Sequence, residues 1–297
     1  NRKPNHIWTK LSDEEFLLKI GAAKKGSDGE LHPTIAGLLF FGDFVTIMDE
    51  LPNYFLDYRE RKATNIRWSD RVCCSDGDWS GNIFDFYFRI IGKLTADVKK
   101  PFKLDEQMMR VDDTSIHAAI REALANALIH ADYYGRQGIV IDKDFSKITI
   151  SNPRTFRISI EDAIAGGVSD TRNARIFNMF SLINVGERSG SGLCDIYSTW
   201  EENGFAKPVI QELSDPARVV LTLETISVSD ETINETINET INNKSQKLIE
   251  ILQLDPHITT AELMEKLGCS RATVARLIKE LKEKGYLVRV GSNKNCL

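Results

Sequence analysis

Near its C-terminus the chain spells out two helices joined by a glycine turn, and no other stretch constrains the fold as strongly. Residues 257–292 run HITTAELMEKLGCSRATVARLIKELKEKGYLVRVGS. Thr259 followed three residues later by Glu262 is a capping-box pattern, which predicts a helix start. Ala261, Leu263, Met264 and Leu267 would form its buried side, and Gly268 would stop it. Ser270 caps a second predicted helix, in which Val274, Leu277, Ile278 and Leu281 recur at three- and four-residue spacing. Gly285 ends that helix, and Tyr286–Val290 predicts a strand leading into a Gly291-Ser292-Asn293 turn. Helix, short turn, helix, strand and wing is the winged helix-turn-helix plan, whose second helix enters the major groove of double-stranded DNA.

Charge agrees with that plan. Residues 244–297 hold ten Lys and Arg against six Asp and Glu, a net of +4, in a chain whose total is -5. The remainder therefore stands at -9. Ser270, Arg271, Thr273, Arg276 and Lys279 fall at the start and on the open side of the second helix, where phosphate and base-edge contacts are made. Arg289 and Lys294, on the predicted strand and beyond the turn, complete the DNA-facing set. A solvated helix pair, or a winged helix used for protein contacts, is the alternative; DNA binding accounts for more of the pattern.

At 297 residues the chain is long enough for two or three domains, each with its own core. Apolar content of 42% beside 27% charged residues excludes a disordered chain. No apolar run approaches membrane-spanning length, and the N-terminal NRKPNHIWTKLSDEEF has no apolar signal core. The five cysteines are odd in number and scattered, with Cys73 and Cys74 adjacent rather than at metal-knuckle spacing. A reduced, cytoplasmic protein without membrane attachment is the expectation. The start lacks a Met, as a fragment of a longer protein would.

Strands are expected around Leu31–Phe41 and Tyr54–Arg59, with a helix around Ile83–Lys99. The apolar run HPTIAGLLFFG, bounded by Pro33 and Gly42, suits a buried strand or a buried helix. Beyond Asp113 the segment SIHAAIREALANALIHADY, Ala-rich and free of Gly and Pro, predicts a long helix. Strands at Gly138–Asp142 and Lys147–Ser151 should follow, then a helix opening after the glycines of VGERSGSGLCDI and a closing strand at Val219–Leu223. Residues 231–242 repeat ETIN three times, which fits a flexible or oligomerising linker.

In the long predicted helix, Glu122, Asn126 and His130 are four residues apart and so share one side. An amide oxygen can ligate Mg²⁺, and a carboxylate one turn earlier can polarise an attacking water. Closely spaced Gly186, Gly190 and Gly192 would let backbone N–H groups approach phosphate at a helix start. Taken singly, the E-x-x-x-N pair equally describes the wet side of an amphipathic helix, and the glycines equally describe a loop.

REALANALIHADYYG, ITISNP, GGVSDTRNARIFNMF and GERSGSGLCDI, in this order, resemble the RecG-related transcriptional regulators. The resemblance covers roughly Leu31 to the C-terminus and is specific over Arg121–Ile196. It implies a GHKL-type (histidine-kinase-like) ATPase domain followed by a winged helix, with a preceding Schlafen AlbA-like domain missing from this chain. It also implies Glu122 as the general base, Asn126 as the Mg²⁺ ligand, and Gly190 and Gly192 in a phosphate-facing glycine box. Arg172 and Asn173 match the family's Arg-Asn pair on the nucleotide side. The chain departs from the family in two places: Arg154 stands where Asn-Pro is usually followed by Gly, and the Asp-x-Gly-x-Gly adenine box is absent. No G-x-x-x-x-G-K-[ST] occurs, so no helicase motor is present.

The expected architecture is a multidomain α/β (α+β) chain. A mixed segment over 1–105 is followed by a GHKL-like α/β sandwich over 106–225, a repeat linker over 226–243 and a winged helix over 244–297. The expected function is a DNA-binding transcriptional regulator acting as a homo-oligomer, with ATP and Mg²⁺ in the middle domain. The rivals are an ATP-hydrolysing enzyme that docks through its winged helix, and a scaffold of the same fold that binds no nucleotide.

Overall fold

The structure is a computed structural model that describes residues 7–61, 67–96, 98, 114–186, 191–226, 247–249, 251–252 and 258–283. The ETIN repeats, the strand expected at 286–290, and the site candidates Gly190, Arg289 and Lys294 lie outside the described residues. The chain divides into two compact units, residues 1–227 and 228–297.

The first unit is built on a six-stranded mixed sheet. Its strands are β3 (Leu56–Glu60), β4 (Asp70–Cys73), β5 (Ile139–Lys143), β6 (Lys147–Pro153), β7 (Val209–Ser214) and β8 (Ala217–Glu224), in the spatial order β4-β3-β5-β6-β8-β7. A separate two-stranded ribbon pairs β1 (Ala23–Lys25) with β2 (Leu31–Pro33). In the large sheet β3 and β5 run parallel, and every other neighbouring pair is antiparallel. Register aligns Tyr58, Ile141, Ile150, Leu221 and Ile210 in one row across five strands. Along β5, β6 and β8 buried residues alternate with partly exposed ones, as in a sheet covered on a single face.

Helices supply the second layer of an α/β sandwich. They are α1 (Asp13–Lys19), α2 (Ile35–Phe41), α3 (Phe44–Glu50), α4 (Ile83–Thr95), α5 (Ser115–His130), α6 (Ile160–Ala165), α7 (Ala174–Leu182) and α8 (Gly192–Glu202). Helix α5 is the centre of the core, with Ile116, Ile120, Leu124 and Leu128 all 1% exposed or less. Trp200 of α8 is fully buried, and its indole N–H donates to the Glu224 carbonyl at 2.7 Å, tying that helix to β8. Glu60 and Lys143, neighbours across the parallel pair, are both buried; the Tyr58 hydroxyl donates to Glu60 at 3.0 Å and the Lys143 ammonium to the Lys93 carbonyl at 2.5 Å.

Two expectations need correction. The strand expected over Leu31–Phe41 is β2 followed by a helix, because the Thr34 hydroxyl accepts from Gly37 N and caps α2. A uniformly apolar run has no period to separate the two forms. Helices α6 and α7, for which the sequence reading assigned no element, each begin after a polar residue, Ser159 and Asn173. The boundary expected at 105/106 falls inside the first unit, since β3 and β4 join the same sheet as β5 to β8.

The second unit shows the anticipated helix pair, α9 (Thr260–Leu267) and α10 (Arg271–Glu283). The Thr259–Glu262 capping box is formed in both directions, and Gly268 takes the left-handed conformation, φ 59°, that ends α9. Leu248, Ile258, Leu263, Leu267, Val274, Leu277 and Leu281 make its core. Ala261, expected on the buried side of α9, is exposed.

Candidate functional site

Helix α5 does not have an ordinary wet side. From 122 to 130 every residue is buried except Glu122, Asn126 and His130, which are partly exposed. All three open into one cavity of about 140 Å³. The spacing that marked them in the sequence therefore makes a single polar stripe on the otherwise buried C-terminal half of the helix.

The far wall of the cavity comes from the sheet, through Ile150, Asn152, Ile210, Val219 and Leu221. Gly192 and Leu193, at the start of α8, close one end. Gly192 touches the stripe so closely that a Cβ there would lie 2.5 Å from Glu122 Oε1 and 3.0 Å from Asn126 Nδ2. A side chain at 192 would push these two groups aside. The three residues expected around a metal and phosphate are thus brought together.

The residue types fit a hydrated Mg²⁺ and a phosphate chain. A carboxylate and an amide supply hard oxygen donors, and the N-terminal end of a helix such as α8 favours an anion. No group of three or more His, Cys, Asp or Glu suited to holding a metal occurs among the described residues. An Mg²⁺ here would depend on ligand phosphates and water for most of its coordination, as that ion often does.

Arg172 and Asn173 act on the other end of α5. Arg172 Nε donates to the His130 carbonyl at 3.0 Å and its Nη2 to the Thr155 carbonyl at 2.9 Å. Asn173 Nδ2 donates to the carbonyls of Ile129 and Ala131, both at 2.8 Å. Together they satisfy carbonyls that the end of a helix leaves without partners. Arg172 also lines the cavity; Asn173, expected to touch nucleotide, is outside that lining and works as a cap.

Sequence reasoning missed the loops that finish this end. Arg154 and Arg157 follow β6, Asp170 precedes α7, and all three line the cavity. Arg154 keeps φ at 79°, the left-handed region that favours glycine, and its guanidinium reaches Asp132 at 2.9 Å. Burial, and next the nearby Arg172 guanidinium, push the His130 imidazole down to about 4, so it is neutral at pH 7.

In the second unit, Ser270 Oγ accepts from Thr273 N at 3.3 Å and begins α10. Arg271, Arg276 and Lys279 are exposed and Thr273 is half-exposed, while Val274 and Leu277 face the core. The candidates on the first turns of α10 thus share its open side.

These features define an ATPase-type α/β sandwich with a separate helix-turn-helix unit. Residues 139–221 match the family model described as "Putative ATP-dependent DNA helicase recG C-terminal", and residues 241–288 match the winged helix-turn-helix DNA-binding model. Residues 1–57 match a domain of unknown function, DUF8451. The chain therefore carries an ATPase-like domain and a winged-helix DNA-binding domain. The ATPase-type match takes in Arg172, Asn173 and Gly192 but begins after α5, so Glu122 and Asn126 lie outside it. No curated protein matches the chain. Among solved structures, the DIP2311 protein from Corynebacterium diphtheriae shares the fold at a TM-score of 0.56 and 18% identity, over 95% of this chain and 56% of that one. The chain thus spans little more than half the length of that relative. No helix among the described residues is long and apolar enough to cross a membrane.

Proposed function

We propose that this protein is a DNA-binding transcriptional regulator whose ATPase-like domain binds a nucleotide with Mg²⁺ and acts as a homo-oligomer. The convergence of Glu122, Asn126 and Gly192 on one cavity supports the nucleotide part of this reading. Asn126 would ligate Mg²⁺, which neutralises phosphate charge when bound. Glu122 would orient water at the same end. The exposed face of α10 would meet operator DNA, and paired winged helices would read a two-fold site. Nucleotide shifts DNA affinity only as far as it binds one arrangement of the oligomer better than another.

Calorimetry with Mg²⁺-ATP and Mg²⁺-ADP tests the nucleotide site. Wild type should bind and Asn126→Ala should not; absence of binding to wild type would leave the domain a scaffold. The hydrolytic alternative draws on Glu122 standing one turn before Asn126, and predicts steady phosphate release that Glu122→Gln removes.

DNA binding has its own test. Affinity should fall steeply with rising salt, and Arg276→Ala should reduce the slope of log K against log salt by about one, as expected for one lost phosphate contact. A flat salt response in wild type would sink the DNA assignment.

A further inference from the structure

The cavity has chemically different ends. Glu122 and His130 are two four-residue steps apart, about 12 Å along a helix axis. Around Glu122 stand an amide, a glycine and the start of α8. Toward His130 the lining carries the guanidinium groups of Arg157 and Arg172, whose charges act on its imidazole, and that of Arg154, whose charge acts on Arg172.

Those guanidiniums are only partly neutralised. Arg154 pairs with Asp132 at 2.9 Å, and Arg157 with Asp170 at 3.1 Å. The Arg154 and Arg157 side chains remain 58% and 43% exposed, so neither pair is locked away from an incoming anion. Arg172 has no carboxylate in a salt bridge with it among the described residues; it donates to two backbone carbonyls. His130 is uncharged at neutral pH and leaves the balance unchanged. Desolvation, then the like charges of Arg157 and Arg154, makes the Arg172 cation harder to hold, although Asp132 and Asp170 partly relieve it.

An uncharged heterocycle is held by stacking and a few hydrogen bonds and has no use for such a cluster. Planar guanidinium forks match phosphate oxygens. We infer that the His130 end of the cavity receives a second anionic group of the ligand, so that the site selects a nucleotide phosphorylated on its sugar 3′ position over the plain 5′-nucleotide. This inference rests on the reading of the Glu122 end as the site of the 5′-phosphates.

Matched ligands separate the two readings. Calorimetry on the full chain with Mg²⁺ would compare guanosine 3′,5′-bis(diphosphate) with GDP, and adenosine 3′,5′-bisphosphate with AMP. In each pair the 3′-phosphorylated member should bind about tenfold tighter, the scale of one charge-assisted contact. Arg154→Gly suits the existing φ of 79° and so keeps the fold, which a thermal unfolding midpoint at or above that of wild type would verify. Combined with Arg157→Gln, it should cut the preference to below about threefold. Equal affinities within each pair, with parent binding still lost in Asn126→Ala, would overturn the inference and leave the nucleotide reading standing. A preference that survives in the double variant would overturn the role of these arginines. Binding of no nucleotide would overturn both readings.

Discussion

Gly192→Ala is expected to weaken nucleotide binding on the order of 100-fold while the fold survives. The added Cβ would lie 2.5 Å from Glu122 Oε1 and 3.2 Å from Glu122 Cδ, with Asn126 Nδ2 at 3.0 Å. These are the outer atoms of side chains that can turn away, so the strain is relieved by moving the site rather than the backbone. Residue 192 opens α8, and alanine favours a helix over glycine by about 1 kcal/mol, which offsets part of the contact cost. Displacing the Glu122–Asn126 stripe by an ångström should lower Mg²⁺-ATP affinity on the order of 100-fold if it holds the proposed site. Calorimetry beside a thermal melt checks this. Unchanged affinity would show that the stripe is not the binding surface, and a collapsed melt would show that the cost fell on the core.

Gly37→Ala should do the reverse and damage the fold. Its Cβ would meet Ala22 O at 1.9 Å, Ala22 C at 2.6 Å and Ala22 Cα at 2.8 Å. That neighbour is backbone, and Ala22 O already accepts from Thr34 N at 2.8 Å. Helix α2 could only lift away from the chain leading into β1, breaking the packing of Leu38, Leu39 and Phe40. The expected destabilisation is about 3 kcal/mol, at the upper end for overpacking and a large share of a typical domain's stability. Urea unfolding measures it. Gly92→Ala is the control: nothing lies within 4 Å of its added Cβ on α4, so the midpoint should hold or rise.

What was legible in the sequence was mostly local. The capping box at Thr259, the stop at Gly268 and the Ala-rich run of α5 all reappear in the structure, because each depends on residues within a turn or two. The stripe Glu122–Asn126–His130 was legible for the same reason. Gly192 was singled out as a phosphate-facing glycine, but its contact with that stripe comes from the packing of α8 on α5. At the arginine end Arg172 was singled out and Arg154 was noted as a departure, but Arg157 was not, and the meeting of the three was hidden because they belong to two loops distant in sequence. Likewise, no local signal announced that Asn173 would cap the end of α5, or that β3 would lie beside β5.

That last pairing decides how the protein can be divided. Leu56 lies beside Ile139 and Glu60 beside Lys143, so the N-terminal segment completes the backbone hydrogen bonding of β5 on one side. A fragment starting at 106, or one trimmed to the 139–221 family match, would retain the cavity's sheet wall and lose that partner. It would then expose the β5 edge, with Ile139 and Ile141 losing cover, as a template onto which a strand from another molecule can add. Aggregation of such fragments would therefore report a missing strand, and says nothing against the stability of the whole chain.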